Sequence, residues 1–492
     1  MRIPFGAWTP DTQPLDSSGL TVATNVVPQS TADSHYGSWQ ALSPLTTALD
    51  GAALGGISGK SVTGIAFSFA GTAGKLYRQG AAGWDDVSKS GGYNTPAETF
   101  WKFTQYGYDI LATNYADPIQ TYTMGTSTDF ADVSATAPRA KYLMVVREFL
   151  VALNTFDIDG QRPLRVRWSP SSAAGGPAGD WTPDPTTQSD FQDLLTGEEI
   201  LGGVGGEYGL VICRKSIYRM TYVGPPVVFQ FDEIVRNRGT IAPGSVATDG
   251  QMTIFYSEDG FYACDGAAVT PIGAGKIDRW FKVNAQPSNF LNMSASMDPT
   301  RQIYALSFVS VDTPDGNPDT LLLYNWVTDR WSIIRQSLRS LVTFLSQPLS
   351  LDQLDTVSTS IDALPASLDS QRWAGGSVYF GAFTIANEFG LFNGAPLPAA
   401  IETGEATLGG DLRALLQSVR PLCDGSPTVQ VGYRDNQWED VSLSAAESPT
   451  RAGDCKFDPI IDARFHRVRM QIAGNWSQAT GVDVMAQPSG LT

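Results

Sequence analysis

Histidines are the first residues to consider for catalysis, and this chain of 492 residues contains only two of them. His35 lies in the N-terminal segment and His466 in a predicted C-terminal strand. A histidine that acts as a general base needs a positioned acid or nucleophile beside it. The G-x-S-x-G pattern of a nucleophile elbow is absent. We predict that both histidines are structural or surface residues and that the chain has no catalytic residue.

Two glycine-rich stretches could bind phosphate. Residues 273–276 read Gly-Ala-Gly-Lys, but a phosphate loop needs Gly where Thr270 stands and Ser or Thr where Ile277 stands. Residues 202–206 open a predicted strand that no helix follows, so their glycines are predicted to serve turns or close packing rather than a dinucleotide. We predict no cofactor.

Two aspartate-rich stretches could bind calcium. Residues 312–319 gather oxygen ligands, and residues 157–160 do so faintly. Neither has the alternating acidic ligands and closing Glu of an EF-hand, and both lie where a hairpin must turn. The pattern favours plain turns over metal sites, and any ion bound there would be structural.

The four cysteines are far apart and form no C-x-x-C pair, so neither a zinc site nor a disulfide scaffold is indicated. We interpret them as reduced thiols. They are Cys213, Cys264, Cys423 and Cys455.

A repeated hairpin is the main structural signal. Each unit is a strand with an aromatic residue, a polar or glycine turn, and a second strand that often ends on Trp or Val. The leading aromatics recur at intervals of about 45 residues early in the chain, which is typical of a four-stranded propeller blade, and two longer intervals indicate insertions. The sequence therefore predicts an all-β fold, a β-propeller of six to eight blades. The marker residues are Tyr77, Tyr122, Trp168, Tyr218, Tyr262, Tyr324 and Phe392.

The composition agrees with a large globular β protein. Hydrophobic residues make up 42% and aromatic residues 11%, which is enough for a core. Only 17% are charged, and the 49 glycines and 30 prolines fit many tight turns between short strands.

We divide the chain into three parts. Residues 1–60 are predicted to form an extended arm, and residues 61–400 the propeller with an inserted loop or short helix near 337–372. Residues 401–492 are predicted to form a C-terminal β domain, either a small β-sandwich or an extra sheet packed on the propeller. Brief helices are predicted at 190–195 and 276–281. The strand that contains Arg467 and Arg469 predicts a partly basic sheet face near the C-terminus.

The net charge of −17 argues against broad adhesion to nucleic acid or anionic membranes. It is compatible with a DNA conduit, because an acidic wall repels phosphates and lets a duplex slide past. The N-terminus lacks the apolar core of a signal peptide, and no run of about 18 apolar residues occurs. We expect a soluble protein.

A glycan-binding or glycan-hydrolysing propeller is the alternative. Such enzymes hold a carboxylate with clustered arginines and cleave with acidic residues. The arginines here scatter over different predicted blades, and the aspartate-box repeat of sialidases is not visible. They are Arg162, Arg165, Arg167, Arg214, Arg236, Arg238, Arg335 and Arg339.

The order of strands and turns in the middle of the chain carries a family resemblance. It resembles the tail hub or nozzle protein of short-tailed bacteriophages, also called the packaged-DNA stabilisation protein, over about residues 60–400, with a looser match at 467–469. The segments that carry the resemblance are 199–204, 210–220, 224–226, 239–243, 256–262 and 271–273.

This resemblance implies a structural, non-enzymatic virion protein. Its expected partners are further copies of itself in a hexameric ring, the portal and adaptor proteins above it, a fibre, spike or plug below it, and double-stranded DNA that passes through without sequence-specific contact. It also implies assembly in the host cytoplasm, location in the virion tail and a part in DNA retention and ejection. Ring closure through heterologous contacts is compatible with a subunit that has long arms.

Overall fold

The structure of the protein is a computed structural model, and it describes residues 1–15, 19–29, 35–80, 83–346, 360, 375–410 and 412–490. The N-terminal arm is extended, as predicted, and its strands are built into sheets whose other members come from far along the chain. These strands are β1 (Arg2–Pro4), β2 (Leu20–Thr24), β3 (Val26–Pro28), β4 (Tyr36–Ser38) and β5 (Gln40–Ala48).

Seven blades follow, each an antiparallel meander of four strands. Blade 1 contains β6 (Gly56–Lys60), β7 (Ala66–Gly71), β8 (Leu76–Gln79) and β9 (Trp84–Asp86). Blade 2 contains β10 (Lys102–Tyr106), β11 (Asp109–Thr113), β12 (Gln120–Thr123) and β13 (Ala131–Asp132). Blade 3 contains β14 (Arg139–Val146), β15 (Phe149–Asp157), β16 (Gly160–Trp168) and β17 (Asp190–Asp193). Blade 4 contains β18 (Ile200–Val204), β19 (Gly209–Cys213), β20 (Ser216–Gly224) and β21 (Val228–Arg236).

The remaining blades complete the ring. Blade 5 contains β22 (Ala247–Thr248), β23 (Thr253–Tyr256), β24 (Phe261–Cys264) and β25 (Val269–Pro271). Blade 6 contains β26 (Ser294–Asp298), β27 (Ile303–Phe308), β28 (Thr320–Asn325) and β29 (Arg330–Arg335). Blade 7 contains β30 (Ser340–Leu345), β31 (Val378–Phe383), β32 (Glu388–Pro396) and, from the N-terminal arm, β5.

Strand β5 closes the propeller. It pairs antiparallel with β32, with Ser43 opposite Leu391 and Ala48 opposite Glu388. The outermost strand of the last blade thus comes from the segment that leads into the first blade. This pairing ties the two ends of the ring together without a covalent link.

Apolar side chains fill each of the seven interfaces between neighbouring blades. Phe69 of blade 1 packs against Tyr122 of blade 2, with ring centroids 5.0 Å apart. Tyr77 of blade 1 shares a core cluster with Phe344 and Phe383 of blade 7, so the ring is closed. A seven-bladed β-propeller confirms the fold predicted from the sequence.

All seven marker aromatics lie on the third strand of a blade, one in each. None is more than 7% exposed. The third strand lies between two others within its blade, so its side chains pack against neighbouring blades on both faces. The spacing of the hairpins therefore measured the spacing of the blades.

The C-terminal strands form a β-sandwich together with the arm, which confirms the predicted sandwich. One sheet runs β3-β4-β39-β34-β37, with β1 also on β39, and the other runs β2-β33-β38-β35-β36. These strands are β33 (Ala399–Thr403), β34 (Arg413–Cys423), β35 (Ser426–Arg434), β36 (Ser442–Leu443), β37 (Cys455–Ala463), β38 (Phe465–Ala473) and β39 (Ala479–Gly490).

Blade 6 and the sandwich share a sheet. Strand β2 pairs in parallel with β29 through Thr24 and Ile333, so nine strands run without a break from the blade into the sandwich. One apolar cluster also spans blade 5, blade 6 and both sandwich sheets. The two parts therefore form one packed body.

Helices are short. The one α-helix among the described residues is α1 (Asp278–Asn284), which partly overlaps the helix predicted at 276–281. The helix predicted at 190–195 is wrong, because Asp190–Asp193 pairs with β16 as the edge strand of blade 3. The described residues also contain four 3-10 helices, at Ser172–Ala174, Gly176–Ala178, Pro243–Ser245 and Pro287–Asn292.

The insertion predicted near 337–372 is partly wrong. Residues Ser340–Leu345 form the innermost strand of blade 7 and pair with β31. Residues 347–359 and 361–372 of the predicted insertion lie outside the described residues.

Trp39 tests how far the arm stabilises the ring. Its side chain is fully buried and its ring centroid lies 4.9 Å from that of Phe392. We expect Trp39→Ala to lower the free energy of unfolding by about 3–5 kcal/mol, because it leaves a large cavity. Trp438→Ala is the matched control, since Trp438 is 83% exposed, and it should change stability by less than about 0.5 kcal/mol. Chemical denaturation followed by circular dichroism measures both, and equal effects would contradict a structural role for the arm.

Candidate functional site

The most prominent exposed feature of the propeller is at one end of blade 3. We call it the blade 3 apex: the turn between β15 and β16 (residues 157–160) and the segment 193–195 after β17. Both segments lie at the same end of the blade, because β15 and β17 run in the same direction. Ile158 is fully exposed and Leu195 is 93% exposed.

A buried guanidinium holds the apex together. Arg165, whose side chain is 7% exposed, contacts Asp157 at 3.2 Å, Asp159 at 3.0 Å and Asp193 at 2.7 Å. Its guanidinium also stacks on the Phe191 ring, 4.1 Å from the centroid. The turn and the segment after β17 are thus fixed to one central cation.

The strand geometry explains this arrangement. Arg165 and Arg167 lie on one face of β16, while Leu164, Val166 and Trp168 pack into the interface with blade 4. Arg167 also binds Asp157 and donates to the Trp181 carbonyl oxygen at 2.8 Å. The hydrogen bonds that Arg165 donates to Asp193 raise the pKa of Arg165, although burial opposes this, so the cation is permanent.

The aspartates of the apex are therefore engaged by arginines. A hydrogen bond from Arg162 lowers the pKa of Asp159, which keeps the carboxylate charged. Asp157 and Asp159 were the carboxylates of the faint calcium-like stretch, and the structure places both on guanidinium groups. A turn, rather than an ion site, accounts for them.

A central cavity is the second candidate site. Its lining comes from the innermost strands of blades 2 to 7, and its volume is about 1000 Å³. Charged residues that line it are Lys102, Arg147, Glu207 and Asp249. Arg147 pairs with Glu207 at 3.2 Å.

The sandwich holds a second buried ion network. Arg467 contacts Glu402 at 3.0 Å and Glu405 at 2.7 Å, and Arg434 contacts Glu405 at 2.7 Å. Although burial opposes ionisation, hydrogen bonds from Arg434 and Arg467 hold the pKa of Glu405 below its usual range. The predicted basic face is thus corrected: carboxylates from β33 and the following residues neutralise it.

His466 is buried among these strands and is only 2% exposed. Neither of its ring nitrogens has a hydrogen-bond partner within the described residues. Burial lowers the pKa of His466 to about 4. His35 lies in the N-terminal arm, where it is half-buried and directly precedes β4. The structure does not bring the two histidines into one site.

The phosphate-loop-like stretch leads into α1 beside a carboxylate. A Cβ on Gly273 would lie 2.0 Å from Asp278 Oδ1, and Lys276 pairs with Asp329 at 2.5 Å. Burial raises the pKa of Asp278 to about 6. Lys276 is therefore already paired with Asp329, and the Asp278 carboxylate fills the space beside Gly273.

Two glycines of the stretch 202–206, Gly203 and Gly205, serve close packing, as predicted. A Cβ on Gly205 would lie 2.0 Å from the Val145 carbonyl oxygen, and one on Gly203 would lie 2.3 Å from Leu153 Cδ1. Blade 4 can approach blade 3 this closely only without side chains at these positions.

The other predicted ligand candidates are held in ordinary structure. Asp319 accepts hydrogen bonds from the Ser310 amide at 2.8 Å and hydroxyl at 2.7 Å within its turn. All four cysteines are free thiols, and burial raises the pKa of Cys213 to about 12. Over the described ranges, no group of three His, Cys, Asp or Glu side chains could hold a metal ion.

Sequence reasoning did not select the residues that stand out here. Ile158 and Leu195 are large apolar residues in otherwise polar turns, and that contrast was a signal in the sequence. Lys102 gave no signal, because only the closed ring shows that its strand lines a cavity. No helix in the described part of the chain is long and apolar enough to cross a membrane.

The strand order, the seven packed interfaces and the sandwich define a class of protein: a closed seven-bladed β-propeller joined to a β-sandwich. No protein-family model and no curated protein sequence matches the chain. Solved structures match it at low similarity.

Three solved structures illustrate the likeness. A chain of the mitotic checkpoint complex has a TM-score of 0.38 at 8% identity, over 72% of this chain and 95% of that one. The computationally designed Ika8 protein has a TM-score of 0.37 at 8% identity, and the match covers 72% of this chain and 99% of that one. The Pan2 WD40 domain of Neurospora crassa has a TM-score of 0.37 at 6% identity, and the match covers 62% of this chain and 90% of that one. Scores this low add nothing to the strand order, on which the description of the fold depends.

Arg165→Met should destabilise the protein by about 3–5 kcal/mol, because it leaves the buried Asp157 with one fewer partner and frees two apex segments. The matched control is Arg162→Met, since Arg162 is 42% exposed and pairs only with Asp159, and its cost should stay below about 1 kcal/mol. Urea unfolding measures both. A similar small loss in both variants would show that the apex does not depend on its central cation.

His466 makes stability depend on pH. Its pKa is about 4 in the folded protein and 6.5 in an unfolded chain, so the unfolded chain binds more protons between these values. The free energy of unfolding therefore has its full value above pH 6.5, where His466 is neutral in both states. It falls by up to about 3 kcal/mol as the pH drops from 6.5 through 4. His466→Leu should flatten the difference in unfolding free energy between pH 7 and pH 4. An unchanged pH profile in His466→Leu would refute the prediction.

Proposed function

We propose that this protein is a structural subunit of the tail of a short-tailed bacteriophage. In this role several copies, six in the family it resembles, form the nozzle or hub ring that extends the DNA channel below the portal and adaptor. The ring retains packaged DNA and docks the distal parts of the tail. The work of such a subunit is shape and contact rather than catalysis.

The observation that carries this proposal is the blade 3 apex. Ile158 and Leu195 are almost completely exposed, yet the segments that present them are fixed by the ion pairs of Arg165. An exposed apolar side chain on a rigid support loses little conformational entropy when it is buried against a partner. Exposed apolar groups with a polar rim are typical of interaction sites.

The rigidity of the whole body supports the same role. The propeller is closed by β5, and the sandwich is continuous with blade 6 through Thr24 and Ile333. A subunit that must hold a channel open under the pressure of packaged DNA needs its parts fixed to one another. The arm, the ring and the sandwich are fixed in this way.

Charge supports passage of DNA rather than binding. With a net charge of −17, a ring of such subunits repels phosphates along its wall, so that a duplex can move without being held. The mechanism would be steric and electrostatic, with loops at one end of the ring opening or closing the exit.

The glycan-binding alternative finds less support. It needs arginines that are free to hold a glycan carboxylate. The most enclosed arginines with ion pairs already bind the protein's own carboxylates; they are Arg165, Arg167, Arg434 and Arg467.

The decisive experiment is imaging of the protein on tails. The chain with a small tag, co-expressed with the portal and adaptor proteins of its own phage, should appear by electron microscopy as a ring below the adaptor. A chain that stays monomeric in the presence of portal and adaptor, and is missing from tails, would refute the proposal.

Ile158→Asp combined with Leu195→Asp tests the apex. A charge placed in an apolar interface should weaken assembly by at least about 100-fold, while the melting temperature of the free subunit stays the same because both side chains are exposed. Val62→Asp is the control, since Val62 is 68% exposed on blade 1. Sedimentation with the adaptor measures assembly; unimpaired assembly of the double variant would exclude the apex from the contact.

A further inference from the structure

Lys102 points into the interior of the propeller. It is the first residue of β10, the innermost strand of blade 2. Tyr106, four residues along, donates to the Glu148 carbonyl oxygen of blade 3 at 2.8 Å, whereas Gln105 donates to the Lys60 carbonyl oxygen of blade 1. Side chains alternate along a strand, so Lys102 and Thr104 face blade 3.

The side chain of Lys102 lines the central cavity of about 1000 Å³. The side chain is half-buried and keeps part of its surface toward the cavity. Burial lowers the pKa of Lys102. An ammonium group in such a place is costly unless an anion compensates it.

No carboxylate of the described residues pairs with Lys102, although acids outnumber bases in this chain by 50 to 33. The other lysines are either in ion pairs or exposed. Those in ion pairs are Lys75, Lys89, Lys141, Lys215 and Lys276. Those exposed are Lys60, Lys282 and Lys456. Within the described part of the chain, Lys102 is the half-buried lysine that has no ion pair.

We propose that the central cavity binds a small organic acid with a single negative charge, whose carboxylate pairs with Lys102. A pocket of this size suits a small molecule, and ligand pockets combine a mostly apolar lining with few polar anchors. Here the apolar part comes from Phe103, Met144 and Met297, and neutral hydroxyl groups come from Thr104 and Ser296.

The charge of the cavity rim restricts the ligand to one negative charge. Glu207 and Asp249 line the same cavity, and both are exposed at its opening. Arg147 neutralises Glu207, which leaves Asp249 without a cation among the described residues. A ligand with several negative charges would be repelled there, whereas one carboxylate on a neutral body can pass to Lys102.

The probes are hexanoate and N-acetylneuraminate, and the neutral controls are hexanamide and N-acetylmannosamine. At concentrations about ten times the dissociation constant, at least one acid should raise the melting temperature of the wild-type protein by about 1–3 °C. Neither neutral compound should do so. Lys102→Met should lose the response, whereas Lys102→Arg should keep at least part of it. Lys60→Met, which removes an exposed lysine from the innermost strand of blade 1, should respond like the wild type.

A second measurement needs no variant. The acid that binds should protect Lys102 of the wild-type protein from acetylation by an N-hydroxysuccinimide ester, read by mass spectrometry, while Lys60 is acetylated at the same rate with and without it. The proposal is overturned if neither acid shifts the melting temperature or protects Lys102, or if Lys102→Met responds like the wild type. Neither measurement depends on assembly of the tail. Ligand binding at Lys102 can therefore be refuted while the proposed structural role stands, and the structural role can be refuted while ligand binding stands.

Discussion

The pairing of β5 with β32 is the constraint on which the rest of the structure depends. A propeller is a curved sheet array whose first and last blades meet only if something holds them together. Here the last blade lacks its outermost strand until the N-terminal arm supplies it, and Trp39 anchors that strand in the interface between blades 6 and 7. The seven apolar interfaces and the central cavity exist only in the closed ring.

The same arm joins the ring to the sandwich. Residues before β5 enter both sandwich sheets, and Asp11 accepts hydrogen bonds from the Arg279 and Trp280 amides at the start of α1. A segment rich in Pro, Ser and Thr with little periodicity is therefore not a loose tail. Its conformation is set by partners hundreds of residues away, which is why its sequence shows no pattern of its own.

Patterns within short stretches of sequence predicted the features that depend on neighbouring residues, namely the strands and their buried faces. The marker aromatics gave one residue per blade because each sits on a strand whose burial is repeated seven times, and the alternation in β38 separated its apolar face from its arginines. The other features depend on contacts between residues that are far apart in the sequence. Asp190–Asp193 is a strand because β16 lies beside it, Arg467 is neutralised by glutamates 62 and 65 positions earlier, and Lys102 gains its significance from strands of six blades.

The origin of the closing strand also sets an order of events during synthesis. Strand β5 ends at Ala48 and its partner begins at Glu388. At about 5–20 residues per second, roughly 20–70 s pass between the emergence of the two strands from the ribosome. Throughout that time β5 has no sheet to join, and its row of unpaired amides and carbonyls is open to other chains. The nascent propeller must therefore remain open until β32 has been made, and proteins that bind extended segments have that interval in which to protect β5.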